Sequence, residues 1–242
     1  MTSPGTSSKT DAKPVASTRH FFVFLGIVAT VTLAGFAAQH RSVPGGGLAE
    51  THEQVIPIYL SVTILNWLLV FFVWRGIRRQ GNTFHSLIQG RWASLRDVYR
   101  DLSLAAVFWG LLLGVAWGLD HLLSQGQAES LELLLPRSTV EVGVWILTSI
   151  SAGFCEEFVF RGYVQRQLLS WSGSIPISVL GQSFLFGMMH AYQGWMLAFR
   201  IVVLGVLFGA LAAWRRTLRV GMIAHAWQDV WAGWLANVIL RP

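Results

Sequence analysis

Three short patterns in the C-terminal part of the chain set ionisable side chains inside otherwise apolar runs. The first, CEEFVFRG, holds Glu156, Glu157 and Arg161. On a helix Glu157 and Arg161 share a face, in the acid-before-base order that favours pairing. Glu156 points about 100° away, so it is the carboxylate that this local pairing leaves un-neutralised. The second pattern is Phe186-x-x-x-His190 and the third His225-x-x-x-Asp229, again with two groups on one helical face. A carboxylate and two imidazoles in a dry cavity can activate a water molecule and hold a developing oxyanion. By that geometry Glu156 is the candidate base, with Glu157 and Arg161 as a buried orienting pair. The same residue types could hold a divalent metal or carry protons in a transporter. The His-Glu-x-x-His spacing of the commonest zinc design is absent from the sequence. Ser149, Ser151 and Ser183 read as packing hydroxyls rather than nucleophiles, and Cys155 as a small packing residue.

The elements that must position these groups belong to a membrane. The chain has 242 residues, 53% apolar and only 12% charged, with a mean hydropathy of +0.52. Soluble domains run near a quarter charged, so there is too little charge to coat a water-facing surface. Twelve Trp and fifteen Phe exceed what one soluble core of this size takes up. Soluble globular, disordered, collagen-like and disulfide-scaffold readings are excluded. The fold expected is all-α, a polytopic membrane protein of seven to eight transmembrane helices.

A bilayer core of ~30 Å needs about 20 apolar residues per helix. On that ruler spans fall at about 21–38, 55–74, 102–119, 142–160, 175–193, 196–214 and 220–239. An eighth could lie in 84–100 or 121–139, neither apolar enough to span alone. Residues 1–19 read as a disordered cytoplasmic tail. Segments 1–19, 75–101, 161–174 and 214–219 hold fourteen of the eighteen basic residues, which puts the N-terminus in the cytoplasm. The net charge of +6 is therefore a topology signal, and no nucleic-acid partner is expected. Segment 84–100 reads as an amphipathic helix on the cytoplasmic leaflet. Gly110, Gly114 and Gly118, and separately Gly205 and Gly209, read as close helix-packing positions. Arg200 reads as a side chain snorkelling to headgroups. This map sets Glu156 and His225 near one surface and His190 ~22 Å away. The three meet only if the fourth helix continues past Arg161, if 164–175 is interfacial and span five starts deeper, or both; a combination is expected.

Together the three motifs resemble those of the CPBP family, which includes CAAX prenyl endopeptidases of the Rce1 type and bacterial proteins linked to bacteriocin processing and self-immunity. The resemblance covers roughly residues 140–240. It implies an N-terminal transmembrane region at 20–139 and a CPBP-type catalytic bundle at 140–242, working as a glutamate-type intramembrane endopeptidase. Glu156 and His190 would activate the attacking water, His225 and Asp229 would stabilise the oxyanion, and Glu157 and Arg161 would support the site. The prenyl proteases usually have Asn where this chain has Asp229, and an ionised Asp cannot donate to an oxyanion. No cofactor is expected; were a metal used, Glu156, His190 and His225 would be its ligands. The expected partners are the lipid bilayer and a membrane-associated protein or peptide substrate, in a bacterial inner membrane. Two other readings remain at this level: an immunity or scaffold protein that keeps the motifs without catalysis, and a proton-coupled transporter.

Overall fold

The computed structural model describes residues 13–41, 55–122 and 134–239, and every regular element among them is helical. In chain order these are α1 (Thr18–Arg41), α2 (Val55–Arg78), α3 (Phe84–Ile88) and α4 (Leu95–Leu122). There follow α5 (Thr139–Ser172), α6 (Ile175–Met189), α7 (Trp195–Arg215) and α8 (Arg219–Ile239). Each expected span falls on one of these helices. Five are long and apolar enough to cross a membrane: Thr18–Ala37 of α1, then α2, α4, α5 and α7. Helix α6 is apolar but has only 15 residues. Helix α8 carries Arg219, His225, Gln228 and Asp229 and stands outside those five.

The long helix α5 organises the rest. It starts on a reciprocal cap: the Ser138 hydroxyl accepts from the Glu141 N–H at 3.2 Å, and the Glu141 carboxylate accepts from the Ser138 N–H at 3.0 Å. It is α-helical over Thr139–Glu156, π-helical over Glu157–Val164, and α-helical again over Gln165–Ser172. It stops at Gly173, whose φ of +64° needs a residue without a side chain. At ~1.5 Å per residue its 34 residues reach about 50 Å, well beyond a ~30 Å apolar core. The stretch 161–174 is therefore mostly helix and not a loop. Arg161 is buried, and Arg166 donates to the Ser86 and Leu87 carbonyls at 2.8 and 2.6 Å, so neither is a loop charge.

This continuation removes the depth conflict in the sequence map. Gly173 lies seventeen residues after Glu156 and seventeen before His190. Antiparallel packing of α5 and α6 from that turn brings the two to comparable depth. Helix α1 runs alongside as a ruler: Phe21 meets Trp171 edge-on at 4.9 Å, and Gly35 lies against the Tyr192 ring.

Several expectations are corrected. Segment 84–100 is not one amphipathic helix; it breaks at Gln89 and Gly90, with φ of +56° and +70°, between α3 and α4. The sequence between the breaks and Leu95 holds α8 in place: Leu218 N–H donates to the Ile88 carbonyl and Arg219 to that of Gly90. Most of 121–139, the other candidate for an eighth span, lies outside the described residues. Of the expected tail, residues 1–12 lie outside them too, but Val15 and Ala16 are buried. Their N–H groups donate to the Gln167 side-chain oxygen at 3.1 and 3.0 Å. Around Gly110, Gly114 and Gly118 nothing comes within 4 Å of an added Cβ, so they do not pack helices within this chain. Gly205 and Gly209 do, against Ser183 and Gln182 of α6. Arg200 is paired with Asp120 at 2.9 Å across α7 and α4 rather than reaching for headgroups.

The closest approach near the polar cluster is between α5 and α8. A Cβ on Gly153 would sit 2.7 Å from the Ala226 amide nitrogen and 2.9 Å from the Met222 carbonyl. Both are backbone and cannot step aside. Gly153→Ala is expected to lower stability by ~1–3 kcal/mol, read as a reduced Tm of the detergent-solubilised protein, whereas Gly114→Ala should leave it unchanged.

Candidate active site

The cluster is built on four helices. From α5 come Glu156 and Glu157, where the helix passes from α to π geometry, and Arg161 inside the π stretch. All eight residues of that stretch are buried. Helix α8 supplies His225 and Asp229, α2 supplies Asn66, and the C-terminal end of α6 supplies Phe186 and His190.

Arg161 and Glu157 form the buried pair that the spacing predicts: Nη1 lies 2.9 Å from Oε1, with both side chains at 1% exposure or less. The guanidinium also lies over the rings of Phe186 at 4.5 Å and Phe208 at 5.1 Å. Ring faces carry negative charge density, so they help hold a cation that water cannot reach. Gly221 leaves space for the other oxygen of Glu157; an added Cβ there would be 3.0 Å from Oε2.

His225 is the hub. Its Nδ1 lies 3.1 Å from Glu157 Oε1, while Nε2 lies 3.7 Å from Glu156 Oε2 and 3.6 Å from Asp229 Oδ2. A carboxylate has no proton to give, so Nδ1–H donates to Glu157. Nε2 then faces the two remaining carboxylates. The Asp229 side chain is 32% exposed and marks the open edge of the cluster. Its backbone is pinned by Trp145, whose Nε1–H donates to the Asp229 carbonyl at 2.8 Å.

His190 stands one ring away. Its Nδ1 lies 2.8 Å from the Phe186 carbonyl and donates to it, which fixes the tautomer and leaves Nε2 as an acceptor. The Phe186 ring contacts the rings of both histidines, with centroids 4.9 Å from His190 and 6.3 Å from His225. The structure thus brings Glu156, Glu157, Arg161, His225 and Asp229 into direct contact, and sets His190 beside them across Phe186. Among the described residues no three His, Cys, Asp or Glu side chains converge as a metal site. The conditional ligand set of Glu156, His190 and His225 is thus not assembled, and no step is routed through a metal.

One participant escaped the sequence reading. Asn66 of α2 is buried, and its Nδ2 donates to Glu156 Oε1 at 3.3 Å. The available signal was a lone amide in the run LNWLLVFFVW. Such a group in an apolar helix needs a partner, but its sequence does not say which helix supplies it.

An all-helical bundle with apolar spanning helices and a buried carboxylate–imidazole cluster defines an integral membrane protein with an acid–base centre. Residues 138–231 match the family described as type II CAAX prenyl endopeptidase, Rce1-like, and form an Rce1-like domain of the CPBP family. The family is one of proteases. No curated protein and no solved structure matches the chain.

Removing one member of a buried ion pair leaves an uncompensated charge, at a cost of ~3–5 kcal/mol. Arg161→Leu is expected to unfold or deplete the protein, measured as loss of the monodisperse detergent-solubilised fraction. Arg161→Leu combined with Glu157→Gln should recover part of that fraction.

Proposed function

We propose that the chain is an intramembrane endopeptidase of the CAAX-protease type. It hydrolyses a peptide bond of a membrane-associated protein or peptide with water activated by Glu156. The observation that carries this reading is the approach of Glu156 Oε2 to His225 Nε2, 3.7 Å apart on buried helix surfaces. A water about 2.8 Å from each atom fits to the side of that line.

Glu156 Oε2 takes a proton as the water oxygen bonds to the substrate carbonyl carbon. The tetrahedral species then collapses, the C–N bond breaks, and the proton held by Glu156 passes to the leaving amine. No covalent enzyme intermediate forms. Glu157, braced by Arg161, holds the His225 ring through Nδ1–H. With carboxylates at both nitrogens, His225 donates to both only as the imidazolium, and that form can also donate from Nε2 to the oxyanion. Asp229 then orients and balances His225 rather than donating itself. His190 Nε2 is the acceptor for the second hydrogen of the water. In this reading α6 and α8 also lie in the membrane, giving seven spans, with the N-terminus cytoplasmic and the protein in a bacterial inner membrane.

General acid–base help is worth about 10²–10⁴-fold. Glu156→Gln is therefore expected to lower turnover by at least two orders of magnitude at unchanged abundance, with chelators without effect on the unaltered protein. The measurement compares membrane-protein termini in cells carrying the unaltered chain or the variant. Termini that disappear with Glu156 support the protease and give its cleavage site. Identical termini at equal abundance, with a phenotype that survives the substitution, would replace it with a non-enzymatic immunity or scaffold role.

A further inference from the structure

Asn66 belongs to α2, outside residues 138–231, yet it is the residue that touches Glu156 Oε1. The contact is held by a polar seam between α2 and α5. Tyr59, Thr63 and Asn66 recur at helical spacing on one face of α2. Thr63 Oγ1 meets Thr148 Oγ1 at 3.0 Å, and Thr148 Oγ1 also reaches the Tyr59 carbonyl at 3.4 Å. Trp67 donates to Ser151 at 3.4 Å and stacks on Phe154 at 5.6 Å. Four contacts spread over two turns fix the register of α2 against α5, so Asn66 arrives level with Glu156. Its orientation follows from the chemistry: only the NH2 end can face a carboxylate, since the oxygen end would repel it.

The two oxygens of Glu156 are therefore unequal. Oε1 accepts from Asn66, and Oε2 faces His225 Nε2. We propose that Asn66 is a positioning residue for the reaction. It clamps Oε1 and lowers its basicity, so that Oε2, the oxygen beside His225, is the one that takes the proton of the water. This rests on the reading of Glu156 as the base, and it makes the catalytic centre a joint product of the N-terminal helices and the Rce1-like domain. The other groups around Glu156 are His225 and Asp229 from α8, Glu157 and Arg161 on its own helix, and Tyr192 from the turn after α6, within electrostatic reach.

A hydrogen bond to the ionised form favours it, so losing the donor should make Glu156 easier to protonate. The test is an infrared titration of the full chain in lipid nanodiscs, with the Glu156 carboxyl band assigned as the one lost in Glu156→Gln. In Asn66→Leu and in the smaller Asn66→Ala, the protonation midpoint of that band is expected to rise by about one pH unit, a tenfold change in the proton equilibrium. Its protonated C=O stretch should also move to higher frequency. Thr63→Val, which weakens the seam but leaves the amide, should keep the midpoint of the unaltered chain. An unchanged or lowered midpoint in whichever Asn66 variant retains a cooperative melt would overturn the proposal. So would an equal rise in Thr63→Val. The readout needs no substrate: a shifted midpoint in a chain without Glu156-dependent termini keeps the clamp and removes the protease, and the converse keeps the protease and removes the clamp.

Discussion

The structure depends on keeping ions in an apolar helix bundle, and the Glu157–Arg161 pair is where that constraint is met most completely. Charges withdrawn from water are tolerable only when paired and when the remaining donors and acceptors are occupied. Arg161 therefore gathers a carboxylate, two aromatic faces and the Gly205 carbonyl, at 3.5 Å, from three directions. Each of these partners sits on a helix that must pass close by. Small residues make the approach feasible: Gly153 and Gly221 bring α5 and α8 together, and Gly205 brings α7 against α6. The chemistry proposed for Glu156 uses what this scaffold leaves over, a second carboxylate one residue away that the arginine does not neutralise.

Charge satisfaction also explains the division between the two glutamates. Adjacent on the chain, they differ in surroundings: Glu157 is enclosed and pinned between Arg161 and His225, whereas Glu156 meets a neutral amide and an imidazole edge. His225 is shared by both. One ring couples the structural half of the site to the half available for chemistry.

The parts of this arrangement that were legible in the sequence are those governed by a short period. The spacing of Glu157 and Arg161, and of His225 and Asp229, gave their shared faces directly, and the apolar runs gave a helix for each span. The fourth helix was harder, because Arg161, Gln165 and Arg166 look like loop residues when counted as charge. Only the tertiary partners of these side chains reveal a helix continuing beneath them: Glu157 for Arg161, the Gly209 carbonyl for Gln165, and the α3 carbonyls for Arg166. Asn66 was invisible for the same reason, its meaning lying ninety residues away in Glu156. The four-residue glycine repeat at 110–118 carried the right local signal for packing, but the chain brings no helix against it.

The π-helical stretch sets a further condition on the lineage of this protein. Its wider turns hold Glu157 to Val164 in one fixed phase between the α-helical halves of α5. Shortening the stretch by one residue would let ordinary helix form and swing everything after it by about 100°. Gln167 would leave Val15 and Ala16, and Trp171 would leave Phe21, while Glu156 stayed where it was. Insertions and deletions should therefore be purged from this segment far more strictly than substitutions. The length of the interval between the glutamates and Gly173 is as much an inherited character as the residues within it.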